Sequence, residues 1–189
     1  MKTRLITYLV LSILLVTSCE KGDGEEDYGL PLIYISQATT SGGLNNDYYV
    51  PSGGGSYTHN FKIDSINNKL EVILGVTRSG KVPNKAYEVE VYTRPDTTQT
   101  IINSGVIANA QLLPEKLYQI PANVMVDDAS YSEAFSLTLD AIKLMDDIYT
   151  DKKLMLTVGL RNPTIYPLSE EYSNVVVIID VNAIRADMK

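Results

Sequence analysis

The sequence predicts an all-β sandwich with one or two short helical turns. Three observations predict it. From Leu30 onward apolar residues recur at every second position, not every 3.6. Turn-forming clusters (Ser41-Gly42-Gly43, Ser52 to Ser56, Asn67-Asn68, Ser79-Gly80, Asp127-Asp128, Asn162-Pro163) cut these runs into short strands. The stretch from residue 28 to 189 is long enough to bury a core without a disulfide, and one cysteine allows no internal one.

The chain starts with an address. Lys2 and Arg4 form a positive start, and Leu5 to Val16 follows as an almost wholly apolar run. A membrane-spanning helix takes about 20 apolar residues, so this run is too short to span and fits a secretory signal peptide over residues 1–18. It ends in Val16-Thr17-Ser18-Cys19. That segment resembles the bacterial lipobox, which implies a diacylated Cys19 at the mature N-terminus and attachment to a membrane through that lipid. More than one acyl chain is needed for stable anchoring, as a triacylated cysteine would supply. Residues 20–27, Glu-Lys-Gly-Asp-Gly-Glu-Glu-Asp, hold no apolar side chain to bury. With Cys19 they read as a solvated tether, similar to the acidic export signal of Bacteroidetes surface lipoproteins. A lipid-anchored outer-membrane protein facing the cell exterior is the expected localisation.

The body, residues 28–189, reads as one domain. Leu32 to Ile35 and Tyr57 to Ile63 are short strand candidates flanking a long polar loop from Gly42 to Tyr57. Leu70, Val72, Leu74 and Val76 alternate with Glu71, Ile73, Gly75 and Thr77; Tyr87, Val89 and Val91 alternate with Glu88, Glu90 and Tyr92. Between them, Ser79-Gly80 reads as a hairpin connection. Thr97 to Asn103 is a short helix candidate after Pro95-Asp96, and Val124 to Val126 is a weak strand. Phe135, Leu137 and Leu139 alternate with polar residues, and Ile142, Met145 and Ile148 recur at helical spacing. Leu154, Leu156, Val158 and Leu160 alternate with Met155, Thr157 and Gly159, as in a sheet with one wet face. Val175 to Val181 is apolar at nearly every position and reads as a central strand or one covered on both faces.

Four stretches carry a family likeness: Leu30 to Ser36; the strand ending in Gly75 with the second strand Ala86 to Thr93; Pro95 to Asn103 leading into Leu112 to Tyr118; and Phe135 to Leu139, Leu154 to Leu160 and Asn174 to Val181. Over residues 28–182 the chain resembles the N-terminal module of Bacteroidetes surface lipoproteins known as domain of unknown function 1735. The family often has a glycine where this chain reads Val126 to Ala129, and a Leu-Pro pair where it reads Leu154 to Thr157. The resemblance implies an immunoglobulin-like β-sandwich on the cell surface. Members often precede glycan-binding or glycoside-hydrolase domains in polysaccharide-use systems, and many are described as adhesion proteins.

The chemistry visible in the sequence is sparse. With 16 Lys and Arg against 23 Asp and Glu, and a formal charge of -7, the composition argues against a nucleic-acid partner. One histidine and one cysteine exclude zinc sites built on two or more histidines. Gly75 to Lys81 has the spacing of a phosphate-binding loop, but Val82-Pro83 follows the lysine where a Ser or Thr and a helix are needed. His59 has no nucleophile set beside it in the sequence and fits the Tyr57–Phe61–Ile63 strand row. The carboxylate pairs Asp127-Asp128, Asp146-Asp147 and Glu170-Glu171 fall at polar turns and read as solvated surface rather than as a glycosidase or calcium set.

No catalytic residue, metal ligand or cofactor is expected, and the chain reads as a non-enzyme. Tyrosines are more suggestive: there are 13, with no tryptophan. A sugar ring stacks on an aromatic face, and a tyrosine hydroxyl suits a wet rim. Tyr48, Tyr49 and Tyr57, in or at the end of the polar loop, are therefore the candidate ligand-binding residues. Three classes stay open, in falling order: a surface-anchored binding or adhesion module for glycans; a structural or assembly subunit that binds another surface protein through a sheet edge; and an enzyme.

Overall fold

The computed structural model describes residues 29–40, 43, 45–52, 60–81 and 85–188. Its first sheet is built around β4 (Lys69–Arg78), where Leu70, Val72, Leu74 and Val76 point inward and are buried. β4 pairs antiparallel with β9 (Ser132–Asp140) from Lys69↔Asp140 to Thr77↔Ser132. Beyond β9 lies the two-residue β7 (Tyr118–Gln119). Two short strands share the other edge of β4: β3 (Phe61–Asp64) along its first half and β1 (Ile33–Ile35) along its last residues. In the gap between them, α1 (Ser36–Thr40) supplies the missing acceptor, since Gly75 N–H donates to Gln37 Oε1 at 2.9 Å. A Cβ on Gly75 would come within 3.0 Å of Ser36 Oγ, so this close approach favours glycine.

The second sheet has six strands in the order β2-β11-β10-β5-β8, with β6 off the path beside β10. β10 (Lys153–Arg161) and β11 (Asn174–Asp180) pair antiparallel at its centre. β2 (Asp47–Val50) joins β11 in parallel. β5 (Tyr87–Thr93) borders the last residues of β10, and β8 (Asn123–Val126) borders β5. After β5 the chain leaves the sheet as α2 (Pro95–Asn103), with proline at the helix start where no N–H is required. It returns as β6 (Ala110–Leu112), parallel to the first residues of β10.

That crossover overturns one expectation. Met155, Thr157 and Gly159 do not face water; they are buried like the inward row of β10. Ile101 and Ile102 of α2, with Ile107, pack on Met155, Val176 and Ile178 to form a second small core on the outer face. Thr98 Oγ1 accepts the Thr157 N–H at 2.8 Å and lies 2.9 Å from Thr157 Oγ1. Both polar groups are thereby satisfied inside an apolar surface, where leaving one unpaired costs about 1–3 kcal/mol.

The Ser79-Gly80 segment is not a hairpin, because β4 and β5 lie in different sheets. Ser79 instead fastens to the chain before β1, its Oγ donating to Leu30 O at 2.7 Å and accepting Leu32 N–H at 3.0 Å. The Gly42–Tyr57 loop is interrupted by β2, because Tyr48 and Val50 find inward places beside β11. Helix is also more frequent than expected. Besides α1 and α2 there are α3 (Ala141–Leu144), α4 (Val181–Asp187) and two 3-10 turns, Glu115–Leu117 and Asp147–Tyr149. Asp140 and Asp180 cap α3 and α4 by accepting the N–H of Lys143 and Ala183. No helix among the described residues is long and apolar enough to cross a membrane.

The main core fills the space between the sheets, and one end of it is closed by aromatic rings. Arg78, 2% exposed, has its guanidinium 5.0 Å from the Tyr131 ring and 5.1 Å from the Tyr166 ring. Tyr87 meets Tyr166 edge-on at 5.7 Å. Burial pushes the Tyr87 hydroxyl pKa up to about 12, against the opposing pull of Arg78.

Candidate functional site

Of the tyrosines singled out from sequence, the two among the described residues do not converge. Tyr57, like His59 and Cys19, lies outside the described residues. Tyr48 and Tyr49 are neighbours on β2 and so point to opposite faces. Tyr48 turns toward the main core, and its hydroxyl donates to Ile73 O at 3.3 Å. Tyr49 turns outward and is 42% exposed; its carbonyl accepts from Asn60 Nδ2 at 2.7 Å. A further ring, Tyr92, lies on the outer face of the six-stranded sheet, over Gly159. A Cβ at Gly159 would meet the Tyr92 ring at 2.9 Å and Asn174 Oδ1 at 2.5 Å, so glycine gives the ring its seat. Arg161 covers this ring at 5.0 Å while its Nε binds Glu90 at 2.7 Å. Asp127 and Asp128 are exposed beyond β8, Glu170 and Glu171 are exposed in a turn, and Asp146 caps a 3-10 turn through Ile148 N–H.

A concavity lies elsewhere, at the edge of the five-stranded sheet. It is an open groove of about 300 Å³ between the start of β4, β7, the end of β9 and α3. Strand pairing assembles it. Thr138 of β9 sits opposite Gln119 of β7, and Asp140 sits opposite Lys69 of β4. Lys116 comes from the 3-10 turn that the buried Leu117 anchors. The β3–β4 turn forms one wall. Asp64 accepts the N–H groups of Ile66 and Asn67 there, and Asn67 Nδ2 donates to its other oxygen at 2.7 Å. Asn68 follows at φ 54°, a left-handed position asparagine tolerates, and its carbonyl accepts Ala141 N–H at 2.9 Å.

Two kinds of polar group line this groove. Asp140 and Lys143 are spent on each other, 2.7 Å apart, and hydrogen bonds from Lys143 hold the Asp140 carboxyl below its usual pKa. Lys69, Lys116, Gln119 and Thr138 make no side-chain hydrogen bond or ion pair within 4 Å among the described residues, although Lys69 lies opposite Asp64 and its charge, after the hydrogen bonds from Asn67, helps lower the pKa of that carboxyl. Half-buried Tyr118 and exposed Ile142 supply apolar surface beside them, with Leu117 and Leu139 buried beneath. Such a surface can take a polar ligand that offers hydroxyls and a flat apolar side. Sequence reasoning missed it because its parts are dispersed from position 67 to 143 and meet only through β-pairing. On the far side of Asn68 and Ile142 is a more apolar cleft of about 290 Å³, lined by Ile63, Met145 and Met188.

A family model described as a "-like, N-terminal domain" matches residues 44–167. The chain belongs to this N-terminal-domain family. The resemblance read over residues 28–182, to the N-terminal module of domain of unknown function 1735, is thereby upheld. Among solved structures, a Bacteroides ovatus protein of unknown function matches with TM-score 0.55 at 17% identity, over 78% of this chain and 46% of that one. A Bacteroides ovatus protein described as a "putative carbohydrate binding protein" matches with TM-score 0.53 at 8% identity, over 79% and 37%. At such identities the likeness shows the β-sandwich fold. A multidomain Bacteroides ovatus protein including DUF1735 matches more weakly, with TM-score 0.45 at 16% identity over 70% and 39%. This member of the N-terminal-domain family thus spans less than half the length of these structures. No curated protein matches it.

Proposed function

We propose that the chain is a lipid-anchored, non-enzymatic binding module of the outer-membrane surface and that its ligand is a glycan, held in the groove beside β7. One observation carries the ligand: four polar side chains with no hydrogen bond or ion pair within 4 Å among the described residues, Lys69, Lys116, Gln119 and Thr138, line one open groove together with the apolar surface of Tyr118 and Ile142. Sugars are bound by this mixture of hydrogen-bonding side chains and flat apolar patches. The carbohydrate-binding description of one structural neighbour supports the same reading. Val16 to Cys19 and the acidic residues behind it support the anchor. Tyr49, exposed on the other sheet, is kept as a second contact point. The test is a glycan array with the full chain, followed by thermal shift. At least one polysaccharide is expected to raise the melting temperature, and Gln119→Ala is expected to reduce that shift while leaving the unliganded melting temperature in place. A blank across the array ends the glycan reading. For the anchor, Cys19→Ser is expected to move the chain out of the membrane fraction.

A second reading, attachment of another protein to a sheet edge, has one observation in its favour. β8 stands at the end of the six-stranded sheet with Met125 61% exposed. Met125→Lys would abolish such a contact and leave glycan binding unchanged.

A further inference from the structure

We infer that the groove selects an anionic glycan, one bearing carboxylate or sulfate groups. The inference rests on the glycan reading above and names its substrate class. Its basis is local charge of the opposite sign to the whole. The chain carries 23 acidic against 16 basic residues. Three lysines and one aspartate line the groove. Asp140 is neutralised by Lys143 at 2.7 Å and is also held by the N-terminus of α3 through Lys143 N–H. Lys69 and Lys116 remain as positive charges with no ion pair within 4 Å among the described residues. Asp64 stands opposite Lys69 in the β3–β4 register, and its carboxyl pKa is lowered first by the hydrogen bonds from Asn67 and in part by that charge, but its oxygens are taken up by the turn it closes; Glu71 stands opposite Lys62 in the same register.

The two free ammonium groups come from different directions, one from the start of β4 and one from the 3-10 turn before β7, and face a common space. Exposed lysines on an acidic protein are drawn at low cost toward their own carboxylates. Two that are not so paired, beside the uncommitted amide of Gln119 and hydroxyl of Thr138, suit a ligand that brings both negative charge and hydroxyls. A neutral sugar would leave both ammonium groups unmatched. The flat anion of a uronate or the oxygens of a sulfate ester would accept from them, and charge-assisted hydrogen bonds are roughly twice as strong as neutral ones.

The experiment compares matched polymers on the full chain kept in detergent: polygalacturonate against its fully methyl-esterified form, a sulfated glycan against its desulfated form, and polyglutamate as an anion without sugar. The double variant Lys69→Gln/Lys116→Gln keeps length and hydrogen-bonding capacity and removes the charge. Expected are binding to an acidic polymer, loss of at least about tenfold in affinity on removing its charge or on making the double variant, and weakening with salt. Circular dichroism and melting temperature of the variant confirm that it folds. Equal binding of charged and neutral partners, untouched by the double variant, overturns the anionic inference and leaves the glycan reading standing. Anionic binding that ignores the double variant overturns the site. Equal binding of polyglutamate reduces the groove to a general anion surface and overturns the sugar class. Binding of no polymer, while the array is also blank, overturns both readings together.

Discussion

The two sheets treat their outer faces differently. The five-stranded sheet turns Thr77, Ser136 and Thr138 outward, and buried and accessible residues alternate along β4 from Lys69 to Leu74 and along β9 from Phe135 to Asp140, the alternation failing in β4 at Gly75, which lies against α1. The six-stranded sheet lies under α2 and Ile107 over part of its outer face, so β10 and β11 are buried on both sides and lose the alternation. Alternation is therefore a record of what covers the sheet and not of the strand itself. The uncovered sheet is the one whose edge carries the groove.

The largest effects should come from β10, where the comparison can be broken on a single strand. Leu156 faces the main core and Met155 the outer one, and each is almost wholly buried. Leu156→Ala and Met155→Ala should each cost about 2–5 kcal/mol in urea unfolding. If Met155→Ala costs under about 0.5 kcal/mol, the range of ordinary surface changes, the outer cover is not a core. Next is Thr98→Val, which strands the Thr157 N–H beneath α2 and should cost about 1–3 kcal/mol. Gly159→Ala should cost about 1–3 kcal/mol by crowding Tyr92 and Asn174, with the larger value if those side chains cannot shift. Ser136→Ala, on the uncovered face, should fall within about 0.5 kcal/mol of the parent.

The smallest effect at neutral pH is expected where the two sheets meet. The Tyr87 hydroxyl is buried without a hydrogen-bond partner, so Tyr87→Phe should be neutral or slightly stabilising at pH 7. Its pKa is raised from an ordinary value of 10.0 to about 12 in the folded state. Above pH 10 the unfolded chain gives up this proton while the folded chain still holds it. Stability contributed by the neutral hydroxyl is therefore present below pH 10 and lost as pH rises toward 12. Melting curves across that interval should fall less steeply for Tyr87→Phe than for the parent.

What the sequence made legible follows from locality. Leu70 to Val76, Tyr87 to Val91 and Phe135 to Leu139 announce their strands because one face is dry and the other wet. Pro95 and the residues after it announce α2. Nothing local says that α2 folds back over Met155 and Thr157, so that row was read as wet. β2 was hidden because Asp47 to Val50 is a short run inside polar sequence and draws its order from parallel pairing with β11. The groove was hidden for the same reason on a larger scale: Lys69, the pair Lys116 and Gln119, and Thr138 belong to three different stretches and share a space only once β4, β9 and β7 are side by side. Two of the three tyrosines chosen from composition were adjacent in sequence, which on a strand is the arrangement that separates them.

β1 is stitched along both of its sides. Ile33 to Ile35 pairs with β4, and across the other edge Ile33 donates to Pro167 O, accepts from Ser169 and is followed by Ile35 donating to Tyr172 O. Tension arriving along the chain ahead of residue 29 meets the Ser79 fastening at Leu30 and Leu32 and then this segment. To yield, it must tear two seams at once while drawing two buried isoleucines out of the interior, so the fold is gripped from both sides close to the point where a leash would pull.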